Sequence, residues 1–445
     1  MKHFLQSLYV NDRFYITALG LAAVFLLGYF YPLFFALGKA ALVIIAVLLI
    51  VEIIMLYRTS SEALRAERIL PERFSNGDKN PVKLNIRSNY PFAVQMRIID
   101  ELPFQFQDRK FEIRRRFSAN ERRDVNYSLR PVERGNYEFG RLNIYVSGFI
   151  GFVRRRFKFS AAQSVAVYPS FVRMRQYELM AVSDRLSQVG SKKIRRISNN
   201  KEFEQIKEYV QGDDFRTVNW KATARMSKLM VNQYQDEKAQ HVYNIVDLGR
   251  SMKMPFYGMS LSDYAINAAL ALSDVSLVKD DKAGLITFSD KIHRSIKPDS
   301  KTIQMQLITD ALYKEKSDFL ESDYEKLYYH LRRHSSQRSL LIIYTNFESE
   351  VSLKRRIKVL KMLAKYHVVL IVFFKNTELE SLTKQKAETV QQIYYKTIVE
   401  KMIFEKRKIV KDLKQYGIFS VLTEPENLTV KTINAYLKMK SDGLI

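Results

Sequence analysis

Cysteine is absent from all 445 residues, which excludes disulfides, thiolate metal sites and cysteine nucleophiles and permits a reducing compartment. Acid is also in short supply, since 47 Asp plus Glu stand against 72 Lys plus Arg and leave a formal charge of +25. Such an excess gathers anions, so phospholipid headgroups, nucleic acid and acidic proteins are the candidate partners. Tryptophan occurs once, and no segment is dominated by proline, glycine or serine, so disorder is not the organising feature. No Gly-rich phosphate loop, nucleophile elbow or zinc-protease motif occurs, and catalysis has no evident carrier. The length allows two or three domains with full cores.

Charge is scarcest between Phe14 and Tyr57, where only Lys39 and Glu52 interrupt the apolar run. About 44 residues at roughly 1.5 Å each are too many for one span of about 30 Å, so the run reads as a hairpin of two transmembrane helices. The expected helices are residues 14–30 and 40–57, with the aromatic stretch Tyr29 to Phe35 and the Gly38-Lys39 pair at the tip. A second apolar run argues against a cleaved signal peptide. Lys2 and Arg13 precede the hairpin and Arg58, Arg65 and Arg68 follow it, so both termini are expected in the cytoplasm, with the chain a multi-pass protein of the cytoplasmic membrane. Glu52 reads as a side chain snorkelling to the interface, because a lone acid makes no ion relay.

Four regions are expected: the N-terminal segment and hairpin over 1–58, a β-sandwich domain with a juxtamembrane helix over 59–170, a linker and Gly-Asp-Asp segment over 171–240, and an α/β domain over 241–445. Residues Thr59 to Arg68 read as a short polar helix. Period-two alternation then predicts strands at Val82 to Ser88, Phe92 to Asp100, Phe111 to Phe117, Asp124 to Leu129, Gly140 to Ser147 and Phe152 to Phe159. Arginine runs at Arg114 to Arg116, Arg122-Arg123 and Arg154 to Arg156 lie in or beside these strands, either as a solvated face or as contacts to an anionic membrane leaflet. The cationic stretch Gly190 to Arg196 reads as a linker; it lacks interleaved aromatics, so nucleic acid is an unlikely partner.

From His241 onward, apolar strands alternate with helical patterns. Strands are expected at His241 to Leu248, Ala283 to Phe288, Ile292 to Ile296, Ser339 to Tyr344, His367 to Phe374 and Ile418 to Leu422, with helix-length connections that include a long helix from Glu378 to Gln415. Strands apolar on both faces imply a largely parallel sheet covered on each side. Ligand crevices in such sheets lie beyond the carboxyl ends of the strands, which directs attention to Asp247, Ser251 and Asn346. Their oxygens suit a hard divalent cation, Mg²⁺ or Mn²⁺, and the competing reading is that Asp247 and Ser251 merely cap the local loop. His330 and His334, four apart on a helix beside Arg332 and Arg333, read as a solvated face.

The run Glu208-Tyr209-Val210-Gln211-Gly212-Asp213-Asp214-Phe215-Arg216-Thr217-Val218-Asn219-Trp220-Lys221-Ala222-Thr223-Ala224-Arg225 closely resembles the signature of the bacterial "domain of unknown function fifty-eight" family. The resemblance implies a von Willebrand factor A-like α/β (Rossmann-like) domain opened by the Asp247 loop, and a MoxR-type AAA+ ATPase as partner. It also implies a metal-ion-dependent adhesion site of the form Asp-x-Ser-x-Ser, from which this chain departs: Gly249 replaces the first serine, Asn346 the later aspartate, and the third-loop hydroxyl is open between Ser300 and Thr302. A divalent ion is therefore expected to be held weakly. Independently of family, an Asp213 or Asp214 cap, Trp220 and the cations Arg216, Lys221 and Arg225 make either a buried brace or a docking surface. The expected function is a membrane-anchored, non-enzymatic protein-binding or assembly factor. A metal-dependent hydrolase at Asp247 and a basic lipid- or nucleic-acid-binding scaffold are the alternatives.

Overall fold

A computed structural model describes residues 2–59, 61–159, 162–170, 201–211, 213–236, 239–317, 319–375 and 389–445. The chain divides into two compact units, Met1–Tyr168 and Pro169–Ile445. The Gly190 to Arg196 stretch, Gly212 and the start of the expected Glu378 helix lie outside the described residues.

After a short helix, Lys2–Ser7, and the strand Leu8–Val10, the first unit continues with two packed helices, Asp12–Gly28 and Pro32–Arg58. The second starts eight residues earlier than expected: Pro32 occupies its first turn, where a missing N–H costs nothing, so the aromatic stretch from Phe34 onward is helical and the turn shrinks to the residues after Gly28. Close packing explains the glycines. A Cβ on Gly28 would lie 2.8 Å from the Phe35 backbone nitrogen, and one on Gly38 would lie 3.0 Å from the Phe25 ring. Of the two, Pro32–Arg58 is long and apolar enough to cross a membrane.

Beyond the helices the first unit is sandwich-like. A five-stranded antiparallel sheet has the order Leu8–Val10, Val153–Phe159, Leu142–Ser147, Val94–Asp100, Ile113–Phe117. A three-stranded sheet of Leu64–Ile69, Asn80–Ser88 and Arg122–Leu129 shares with it one core of Leu84, Ile86, Met96, Ile98, Ile144 and Val146. Arg73–Ser75, Gln163–Tyr168 and Gly135–Phe139 make a third small sheet.

Two expectations are corrected in this unit. The polar helix expected at Thr59 to Arg68 is a single tight turn at Ser61–Ala63 followed by the strand Leu64–Ile69. Its alternation is hidden in sequence because the inward series Leu64, Ala66, Arg68 ends on a charge. Arg68 is fully buried: it pairs with Asp100 and donates to the Gly140 carbonyl at 3.1 Å, and the Tyr127 hydroxyl also donates to Asp100. Glu52 does not snorkel. Its buried carboxylate accepts the backbone N–H groups of Gly151 and Phe152 at 2.8 Å and of Val153 at 3.3 Å, fastening the long helix to the sandwich. Arg155 completes the joint by donating to the carbonyls of Leu56 and Thr59 at the helix end, at 2.7 and 2.9 Å.

The second unit is built on a six-stranded sheet ordered Ile292–Asp299, Lys282–Phe288, His241–Asp247, Leu340–Tyr344, Val368–Phe374, Phe419–Thr423. All neighbours are parallel except the first edge strand. Helices Leu261–Val278, Gln304–Lys314 and Leu428–Ser441 cover one face, and Tyr324–His334, Glu350–Tyr366 and Val390–Gln415 cover the other. In chain order the strands run 3-2-1-4-5-6, so the direction of winding reverses between His241–Asp247 and Leu340–Tyr344. The carboxyl ends of those two strands form the crevice where Asp247 and Asn346 stand. A separate hairpin, Lys201–Glu208 with Met230–Asp236, carries the Gly-Asp-Asp segment between its strands.

Candidate functional site

The crevice begins with Asp247, the last residue of a strand buried along its length and itself fully buried. A carboxylate in that position needs donors, and four converge on it. The Gly249 N–H donates at 2.8 Å, Ser322 donates to Oδ1, Thr345 donates to Oδ2 at 2.7 Å, and the Tyr324 hydroxyl lies 3.1 Å from Oδ2 and 2.7 Å from Thr345. Burial, then the neighbouring Asp247 charge, pushes the Tyr324 phenol well above its ordinary range and keeps it a donor. The hydroxyls that meet Asp247 are thus those of Ser322, Tyr324 and Thr345. Ser300 and Thr302 follow the antiparallel edge strand and make no contact with it.

Gly249 has a steric reason. A Cβ there would come within 1.9 Å of Ser322 Oγ and 3.0 Å of both Asp247 Oδ1 and the Leu320 carbonyl, so a serine at this place would displace the hydroxyl already serving the carboxylate.

Asn346 turns its amide to the Ser251 carbonyl at 3.2 Å, and its own carbonyl accepts from the Lys406 ammonium at 3.1 Å. Lys406 comes from the long helix Val390–Gln415 and also donates to the Phe374 carbonyl. Desolvation draws its pKa down to about 8, against a smaller upward pull from Glu348. A cavity of about 180 Å³ opens beside it, largely apolar, with Met254, Val399 and Ile403 among its walls and Lys375, Arg407 and Glu348 at its polar edge.

The residues present do not fit a hard divalent ion. Asp247 is the single carboxylate of the expected trio and its oxygens are already engaged, while the Asn346 oxygen faces a tethered cation. Ser251 Oγ is buried without a hydrogen-bond partner, so that hydroxyl alone is available. Among the described residues no group of three or more His, Asp or Glu could hold a metal. His330 stacks on His334 at 4.3 Å and its Nε2 lies 2.8 Å from Ser295 Oγ on the edge strand Ile292–Asp299.

The Gly-Asp-Asp segment makes a second candidate. Asp214 caps the turn Phe215–Thr217 by accepting the Arg216 N–H at 3.0 Å, and Asn219 caps helix Trp220–Met226 by accepting the Ala222 N–H at 3.0 Å. Asp213 pairs with Lys207 at 3.0 Å and accepts the Val210 N–H, which holds its carboxyl below the usual range. The caps therefore serve the backbone and leave the cations alone: Arg216, Lys221 and Arg225 are exposed and form no ion pair among the described residues. Phe215 and Trp220 are 60% and 63% exposed, with ring centroids 6.0 Å apart, and Val210 and Met226 are exposed as well. The segment is held by its caps and presents Phe215 and Trp220 to solvent.

Residues 205–392 match the family model described as "Protein of unknown function DUF58". The "Uncharacterized protein YeaD" of Bacillus subtilis (strain 168) is 22% identical over 181 residues, 38% of this chain and 44% of that relative, so less than half of the relative's length is matched. Among solved structures, the conserved hypothetical protein BatB from Bacteroides thetaiotaomicron aligns with 45% of this chain and 97% of its own at 14% identity and a TM-score of 0.29. Proximal thread matrix protein 1 from the mussel byssus aligns with 46% of this chain and 47% of its own at 11% identity and 0.26. Scores of that size do not assign a fold. The match over residues 205–392 takes in both the Asp213 to Arg225 run and Asp247, and it supports the resemblance to that family of unknown function.

Proposed function

We propose that this chain is a membrane-anchored, non-enzymatic docking or assembly protein whose exposed face from Val210 to Met226 grips a protein partner, a MoxR-type AAA+ ATPase acting on a von Willebrand factor A-like α/β domain. The observation that carries the reading is the exposure of Phe215 and Trp220 among three cations that form no ion pair among the described residues. Solvent-facing aromatics beside arginine are the residue types that dominate binding energy at interfaces, and the cations select an acidic surface on the partner. The crevice supports a binding role over hydrolysis, since Asp247 is committed to four internal donors.

Anchoring rests on the apolar helices. Both root in one place: Asn11 N–H donates to the Phe152 carbonyl at the start of the first, and Glu52 holds residues 151–153 near the end of the second. A hairpin with both roots on one side crosses the bilayer twice, leaving both termini in the cytoplasm.

The test is copurification of the full chain in detergent with the ATPase encoded by the same organism. Trp220→Ala and Arg216→Ala should each reduce ATPase recovery at least tenfold, the scale expected for hot-spot truncation of about 2 kcal/mol. Wild-type recovery by both variants would remove the docking face from the function, and turnover of a phosphate or peptide ester lost in Lys406→Met would replace it with an enzyme.

A further inference from the structure

The outer face of the five-stranded sheet holds more arginine than acid. Register places these side chains together: Gln95 pairs with Arg116 on one side and Ser147 on the other, Arg97 with Arg114 and Tyr145, and Ser147 with Arg154. Arg97, Arg114, Arg116 and Arg154 line a cavity of about 260 Å³ on this face. Its acids are few. Glu112 is shared between Arg97 and Arg114, and exposed Asp12 stands 4.0 Å from Arg154, so the cavity carries net positive charge. Burial and then repulsion from Arg97 and Arg114 lower the Arg154 pKa against the opposing pull of Asp12 and Glu112, as expected where cations outnumber acids.

The cavity has a second compartment of different chemistry. A neighbouring cleft of about 700 Å³ shares Gln95 and Arg116 with it and runs along Met55, Leu56, Phe92 and Phe149, with Arg13 and the backbone-bonded Glu52 also in its wall. It lies at the foot of the two apolar helices. Arg13 donates to the Ile150 carbonyl at 3.3 Å, Arg154 donates to Asn11, and Asn11 caps the first helix. Phe149, at the tip of the loop clamped by Glu52, is 88% exposed. A cationic chamber that opens into an apolar cleft beside a membrane helix is complementary to one ligand shape: a phosphate headgroup attached to a hydrocarbon tail.

We propose that the cleft between the helix roots and the outer sheet face is a binding site for an anionic phospholipid, with the headgroup phosphate on Arg97, Arg114, Arg116 and Arg154 and the glycerol and acyl start along Met55, Phe92 and Phe149. The site rests on the membrane-anchored reading. Its lipid holds the sandwich against the bilayer, and guanidinium is suited to the task because it can give a phosphate two parallel hydrogen bonds.

The experiment uses the delipidated full chain in a neutral detergent. Probes are dihexanoyl phosphatidylglycerol, dihexanoyl phosphatidylcholine, inorganic phosphate and a single-stranded oligonucleotide, with affinity read from concentration-dependent thermal stabilisation. Phosphatidylglycerol should bind at least tenfold more tightly than phosphatidylcholine or phosphate. Arg114→Gln with Arg116→Gln should weaken it roughly tenfold or more, while Arg114→Lys with Arg116→Lys recovers part of the loss and Arg122→Gln, on the other sheet, changes nothing. Equal weakening by Arg122→Gln would reduce the site to diffuse charge. Equal binding of phosphatidylcholine, of phosphate or of the oligonucleotide would each replace the lipid with apolar adsorption, a free anion or nucleic acid. Alkaline extraction of membranes separates the two claims: wild type released by carbonate overturns the anchor, whereas the pocket variants should stay in the membrane fraction whatever their lipid affinity.

Discussion

Asp247 sits at the place where a parallel sheet offers a ligand site, yet its oxygens are spent on Gly249, Ser322, Tyr324 and Thr345. Asp247→Ala would strand those donors in a buried space, at a cost of about 3 kcal/mol or more. The full chain should then melt roughly 10 °C lower in detergent, and an unchanged melting point would mean that the carboxylate is held for something outside the fold. Lys406 gives a pH signature at the same crevice. Its folded pKa of about 8 lies below the unfolded value of 10.5, with Glu348, Lys375 and Arg407 as the charged groups facing it. Below pH 8 the ammonium is charged in both states and the whole cost of burying it is present. Between about 8 and 10.5 the unfolded chain binds more protons, so stability rises with pH by up to about 3 kcal/mol. Denaturation at stepped pH should show this rise in wild type and its loss in Lys406→Met; equal slopes would place the ammonium in solvent.

At the scale of elements, the joint between helix and sandwich is the part that ties the long apolar helix Pro32–Arg58 to the folded unit. Glu52 accepts three backbone N–H groups, and Arg155 closes the helix end above it. Glu52→Ala should free residues 148–153, costing about 3 kcal/mol and exposing their amides to hydrogen exchange while the six-stranded sheet exchanges as before. Protection of Gly151 to Val153 at wild-type levels would show the loop to be held by other means. The sequence made much of this architecture legible, because period-two runs and buried apolar strands are local signals: strands such as Asn80–Ser88 and Val368–Phe374 fall where alternation or continuous hydrophobicity put them. What stayed hidden depends on distant partners. Leu64–Ile69 looked helical because Arg68 finds Asp100 only through the fold, and Glu52 looked like an interface residue because its donors lie about a hundred positions away. In the crevice, Asp247 and Asn346 were readable from strand ends, whereas Ser322 and Lys406 arrive from other elements. Ser322 left one faint trace, a serine just before the Asp323 cap of helix Tyr324–His334.

For the whole molecule the proposed anchoring turns on the helix length available to cross a membrane. Glu52 and Leu56 belong to the sandwich, which leaves Pro32 to Val51, about 20 residues and roughly 30 Å, for one crossing. The partner helix Asp12–Gly28 has 17 residues, at the lower end of what suffices. Both are tied at their roots to the same loop, so a hairpin that crosses the bilayer twice would carry the turn around Tyr29 and Phe30 to the side opposite the sandwich. A chain without cysteine makes this directly measurable. In intact cells, Tyr29→Cys should react with a membrane-impermeant maleimide, and Ser441→Cys should react only after permeabilisation. The basic outer sheet face would then stand against the cytoplasmic leaflet, where anionic headgroups are concentrated. Labelling of both positions from the same side would place the hairpin on the membrane surface, and the orientation of every cation on the sandwich would have to be assigned again.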